Sequence, residues 1–133
     1  MKKISITIIS VLSIIIIFLL FSNANNKANI DEIEYLKQKS IAISLATYTG
    51  SKNILEENST GKATTELIDK MTKNTNDKVQ VEKININASH KEGNKIVIIT
   101  GIQEVPFKTI LFHQFTYENI NGKWLIVDFG LDA

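Results

Sequence analysis

Tyr117-Glu118-Asn119-Ile120-Asn121-Gly122-Lys123-Trp124-Leu125-Ile126-Val127-Asp128 is the stretch on which the fold turns. Asn121-Gly122 is the pair that a two-residue type I′ hairpin demands, because both central residues need positive φ. The flanking residues are largely β-branched or aromatic, as strands prefer. Such a turn sets Ile120 opposite Lys123. Continued regularly, the ladder puts Asn119 opposite Trp124, Tyr117 opposite Ile126, Phe115 opposite Asp128 and His113 opposite Gly130. Side chains alternate along a strand, so His113, Phe115, Tyr117, Trp124, Ile126 and Asp128 are expected on one face.

Upstream of the hairpin, Phe107 to Ile120 reads as a long strand, with Lys123 to Leu131 as its return. Pro106 marks a break, since it has no N–H to give to a ladder. Lys95 to Gln103 is apolar and β-branched, with Gly101 as a bulge candidate. His90-Lys91-Glu92-Gly93-Asn94 reads as a polar turn, and Val79 to Asn87 as a first strand. Before these the periodicity is helical. Ile33, Leu36, Ser40, Ile41, Ser44, Leu45 and Tyr48 share a face and predict a helix over Ile30 to Thr49. Asn29 is its expected cap, Glu32 closes a capping box, and Gly50 stops it. A short helical turn is expected through Ile54 and Leu55. A further helix over Ala63 to Lys73 turns Ala63, Leu67, Ile68 and Met71 inward. Helices first and a meander afterwards predict an α+β fold: two or three helices packed on a curved, cone-like, four-stranded antiparallel sheet.

The N-terminus has a different character. Lys2-Lys3 precedes an uncharged run of eighteen residues, Ile4 to Phe21, fourteen of which are Ile, Val, Leu or Phe. As a helix this run reaches about 27 Å, close to the thickness of a bilayer core. The flanking lysines keep the N-terminus cytoplasmic and send the rest outside. The expected organisation is therefore an N-terminal transmembrane anchor or uncleaved signal over 1–22, a polar tether over 23–29, and an extracytoplasmic domain over 30–133. The expected location is the cell membrane, in a single pass. The alternative is a signal peptide cut after Ala24, where Ser22-Asn23-Ala24 supplies small residues, and a secreted product.

Composition narrows the chemistry. From Asn25 onward the chain has 13 Lys, no Arg and 14 acidic residues, or about −1 in charge. Nucleic-acid binders carry a basic surplus, so none is expected as a partner. The absence of cysteine removes disulfides, thiolate metal sites and a thiol nucleophile together. His90 has no second ligand at metal spacing, so neither metal nor cofactor is expected. Ser59-Thr60-Gly61-Lys62-Ala63-Thr64 has Glu56 where a phosphate loop needs its first glycine, and Ala63 where it needs Ser or Thr; it reads as a loop leading into a helix. No serine sits in a nucleophile elbow. Glu56-Glu57 and the scattered lysines read as solvated faces.

The helices followed by a meander, and above all Tyr117 to Asp128, with an aromatic after Gly-Lys and alternating aliphatics, resemble the nuclear-transport-factor-two-like (cystatin-like) superfamily. This is the pattern of its small exported bacterial members. The resemblance spans about Ile30 to Leu131 and implies a cone whose concave face can enclose a pocket. It implies no single activity, because this fold hosts enzymes, binders and scaffolds. More distantly, the layout is similar to the single-pass scaffold proteins of conjugative type IV secretion systems.

Two sets of site residues follow. His113 and Asp128 would be diagonal neighbours, about 7 to 8 Å apart at Cα, and with Tyr117 they form the candidate acid–base set. The same pattern describes a polar pair that fixes packing, and no catalytic residue is assigned. Phe115, Tyr117 and Trp124 form the candidate ligand-binding set, lining an aromatic cone. The function expected is a non-enzymatic membrane-anchored module that makes protein–protein contacts in the cell envelope, with envelope proteins or itself. A small-apolar-ligand binder is the alternative, and a lyase- or isomerase-type enzyme comes last.

Overall fold

The computed structural model describes residues 31–105 and 109–132. Helices α1 (Glu32–Thr49), α2 (Lys52–Glu57) and α3 (Lys62–Asn76) precede strands β1 (Gln80–Glu92), β2 (Lys95–Val105), β3 (Ile110–Ile120) and β4 (Lys123–Asp132). The strands form one antiparallel meander in the order β1-β2-β3-β4. The α+β class is as expected. The anchor over 1–22 and the tether over 23–29 lie outside the described residues. No helix among those described is long and apolar enough to cross a membrane.

Helix α1 begins later than expected. Asp31 caps it, accepting the Ile33 N–H at 3.1 Å, in place of the capping box drawn on Asn29, which lies outside the described residues. Glu32 and Glu34 in the first turn suit the positive end of the helix dipole. Gly50 stops the helix as expected, in the left-handed conformation at φ 76°, its N–H returning to Ala46 O. From Ala42 to Tyr48 every residue is buried, because α3 packs on one side and β1 and β2 on another. Leu36, Ile43 and Ala46 meet Leu55, Leu67, Ile96, Ile98, Phe115, Tyr117, Ile126 and Phe129 in the main core.

The sheet departs from the expected register in three places. Strand β1 runs on through His90-Lys91-Glu92, which pair with Val97, Ile96 and Lys95, so the turn shrinks to Gly93-Asn94. Gly101 holds an unbroken ladder on both sides. The register shifts of the β1–β2 pair fall instead on β1, between Val81 and Lys83 and between Ile86 and Ala88. The third departure is on β4. The Asn121-Gly122 turn forms as expected, at φ 54° and 87°, and pairs Ile120 with Lys123, Asn119 with Trp124 and Tyr117 with Ile126. Val127 is then extra. Thr116 pairs with Asp128, Phe115 with Phe129 and His113 with Leu131.

The outer edge of β4 is covered at Ile126. Asn58 O accepts the Ile126 N–H at 2.9 Å and Thr60 N–H donates to Ile126 O at 3.0 Å, so the loop between α2 and α3 caps the strand. This assigns Ser59 to Gly61 the structural role of leading into a helix.

Candidate functional site

Helix α1 presents Ser40, Ser44 and Thr47 to the sheet, four and three residues apart along one buried face. Opposite them β2 supplies Thr100, and β3 supplies His113 and Tyr117, all fully buried. Ser40 Oγ donates to Leu36 O at 2.7 Å, so its remaining capacity is as an acceptor, and the Tyr117 hydroxyl donates to it at 2.8 Å. Ser44 Oγ lies 2.7 Å from Thr100 Oγ1 and 3.2 Å from His113 Nδ1. The other imidazole nitrogen, Nε2, is buried with no hydrogen-bond partner.

Aromatic rings pack round that imidazole. Tyr48 stacks on it at 6.2 Å between centroids, and Phe115 and Phe129 meet it edge-on at 5.9 and 5.2 Å. Burial, seconded by the Lys70 charge, holds the His113 pKa down at about 3, so the ring is neutral. Burial raises the Tyr117 phenol above its ordinary value. The Tyr48 phenol is raised by burial and then by Glu104, whose Oε2 accepts its O–H at 2.6 Å. Lys70 Nζ lies 3.8 Å from the same carboxylate oxygen.

The expected acid–base set is not assembled. His113 and Tyr117 share the helix-covered face, but the extra residue at Val127 turns Asp128 to the opposite face, where it is exposed beside Thr116. Ser44 and His113 have the atoms of a nucleophile–base pair. However, no carboxylate orients Nε2, and neither side chain borders space that a water molecule can enter. The aromatic set is likewise core. Phe115 and Tyr117 are 0% exposed and touch each other at 6.3 Å between centroids, and Trp124 packs partly buried against the same cluster.

Reading the lysines as solvated passed over Lys39, which is 2% exposed. Its ammonium donates to Trp124 O at 2.7 Å and lies 5.8 and 5.9 Å from the ring centroids of Tyr35 and Tyr117. Burial, then the charge of Lys123, lowers its pKa to about 8. The spacing carried a signal, because Lys39 stands three residues after Leu36 and four before Ile43, inside the apolar stripe.

The face away from the helices carries a groove of about 380 Å³. Lys83, Asn85 and Asn87 of β1, Gln103 of β2, and Ile110 and Phe112 of β3 are among the residues that line it. The Phe112 ring leans across the strand pair to 3.5 Å from where a Cβ on Gly101 would stand. Glycine here therefore leaves room for an aromatic floor, which the bulge reading missed.

No protein-family model matches the chain, and no curated protein does. Solved structures are similar to it. The intermembrane space region of the chloroplast protein ARC6 matches with a TM-score of 0.53 at 11% identity, covering 78% of this chain and 98% of that one. A de novo designed β-sheet protein matches with a TM-score of 0.50 at 13% identity, covering 76% and 88%. A DUF4783 family protein from Bacteroides ovatus gives 0.49 at 16% identity, covering 65% and 87%. At such identities the likeness is one of fold alone, an α+β chain of helices and antiparallel meander.

Proposed function

We propose that this chain is a non-enzymatic, membrane-anchored module that works outside the cytoplasm through protein–protein contacts, in an envelope assembly such as a secretion or conjugation apparatus. The observation that carries this reading is the filled interior: His113, Phe115 and Tyr117 are fully buried beneath α1. A ligand-binding cone needs about 300 Å³ or more of space beside its aromatic residues, and an acid–base site needs contact with substrate. The buried set offers neither, so the domain's dealings with other molecules fall to its surface. Lys2-Lys3 and the apolar run Ile4 to Phe21 support the anchor and its direction. The Asn-Gly hairpin and the helices-then-meander order support membership of the nuclear-transport-factor-two-like superfamily. A like-folded region of ARC6 belongs to an intermembrane space, which is in keeping with a domain placed beyond one membrane.

Crosslinking of the full chain in intact membranes tests the reading. A discrete adduct with a second envelope protein, or with another copy, is expected. A chain that stays uncrosslinked at every exposed lysine, or one that turns over a small substrate, overturns it.

A further inference from the structure

The outer-face groove has unspent hydrogen-bonding capacity. Although the far edge of β1 has no strand beside it among the described residues, the backbone between β1, β2 and β3 is committed to the ladder, where Asn85 pairs with Gly101 and Gly101 with Phe112. What remains is side chain. Among the described residues, the amides of Asn85, Asn87 and Gln103 and the ammonium of Lys83 have no side-chain hydrogen bond or ion pair. Asn85 and Asn87, two positions apart on β1, share a face as neighbours in a strand do, and both line the groove.

From this we propose that the groove binds an uncharged oligosaccharide. Each carboxamide offers acceptor and donor side by side, the pattern that a pair of neighbouring sugar hydroxyls complements. The Phe112 ring, with Ile110 beside it, gives the weakly positive C–H face of a pyranose an apolar, electron-rich surface. The volume suits one or two sugar rings. Charged ligands fit less well. The groove lining has a single cation and no carboxylate, which is too little for a phosphate cluster or a metal. A peptide adding to the sheet would lie along the far edge of β1, away from Gln103 of β2 and Phe112 of β3, which line the groove. The proposal is independent of whether another surface docks a protein.

The test is a titration of the full chain, ¹⁵N-labelled and held in a phosphocholine detergent that carries no sugar, with three probes: cellotetraose, maltotetraose and the tetramer of N-acetylglucosamine. The readout is the side-chain amide resonances of Asn85, Asn87 and Gln103. At least one probe is expected to shift them with a Kd in the range of about 0.1–1 mM. Asn85→Ala and Gln103→Ala, both changes at unpaired side chains, are each expected to weaken binding roughly tenfold. Lys52→Ala on α2 should leave it unchanged. Silence with all three probes at about 10 mM overturns the proposal. So does a shift that survives both alanine variants, and so does a response to a neutral tetrapeptide with none to any glycan.

Discussion

Lys39 brings a charge into the core. With a pKa of about 8 it is still protonated at pH 7, although 2% exposed, and a single carbonyl and two tyrosine rings compensate it. Burying an ammonium costs several kcal/mol, which such partners offset only in part. Its four-carbon stem, by contrast, fills core volume as a methionine would. The two contributions separate in a pair of variants. Lys39→Met keeps the length and drops the charge, and should leave stability within about 1 kcal/mol or raise it by about 1–3 kcal/mol. Lys39→Ala also empties the space and should lose about 2–4 kcal/mol. Urea unfolding of the full chain reads both. A Lys39→Met loss exceeding about 2 kcal/mol means that the ammonium bonds outweigh desolvation, against this account.

Strand β4 owes its face assignment to one residue. Up to Ile126 the Asn121-Gly122 turn dictates pairing; past Val127 every side chain stands on the face opposite to that of a regular ladder. Deleting Val127 removes the extra residue and leaves Thr116 opposite Asp128 and Phe115 opposite Phe129, so Asp128 stays outside and Phe129 inside; urea unfolding should find the deletion within about 1 kcal/mol of the parent. Exchanging the two in the parent chain, Asp128→Phe with Phe129→Asp, buries an unpaired carboxylate and exposes an aromatic, and should cost at least about 3–5 kcal/mol or abolish cooperative unfolding. A deletion that costs as much as the exchange would assign Val127 a role other than setting the register. The same element marks how far the sequence could be read. The turn was legible because Asn-Gly is chemically particular to it. The bulge was not, because Trp124, Ile126 and Asp128 alternate as a regular strand does. The available signal was side-chain chemistry: Phe129 and Leu131 continue an inward series from Trp124 and Ile126 better than Asp128 and Gly130 do. Helix positions were legible from Leu36, Leu67 and Gly50. The buried polar row of Ser40, Ser44, Thr100 and His113 was only half visible, since contacts between α1 and the sheet depend on packing that periodicity does not specify.

Across the whole molecule, the buried bases give stability a stepped dependence on pH. His113 holds its proton only below about pH 3 when folded, against 6.5 ordinarily, so between those values the unfolded chain binds a proton that the native one refuses. Unfolding then takes up protons, and stability climbs as pH rises through this window. At about 1.4 kcal/mol per pH unit, the acid limb amounts to roughly 4–5 kcal/mol. Lys39 repeats the sign higher up. Its folded pKa of about 8 against 10.5 makes stability rise again above pH 8, and Lys70, lowered chiefly by burial, adds in the same direction. The raised phenols of Tyr48 and Tyr117 oppose this above about pH 10, where the unfolded tyrosines ionise and the folded ones do not. The expected profile is therefore a climb to pH 6.5, a shelf to pH 8, a second climb to about pH 10 and then a fall, read as the urea midpoint of the full chain. His113→Gln keeps the site polar but cannot titrate, and should flatten the lower climb while sparing the upper. Lys39→Met should do the reverse. If His113→Gln runs parallel to the parent from pH 3 to 6.5, the imidazole is not the group that the acid limb reports, and the neutral ring assigned to the core is wrong.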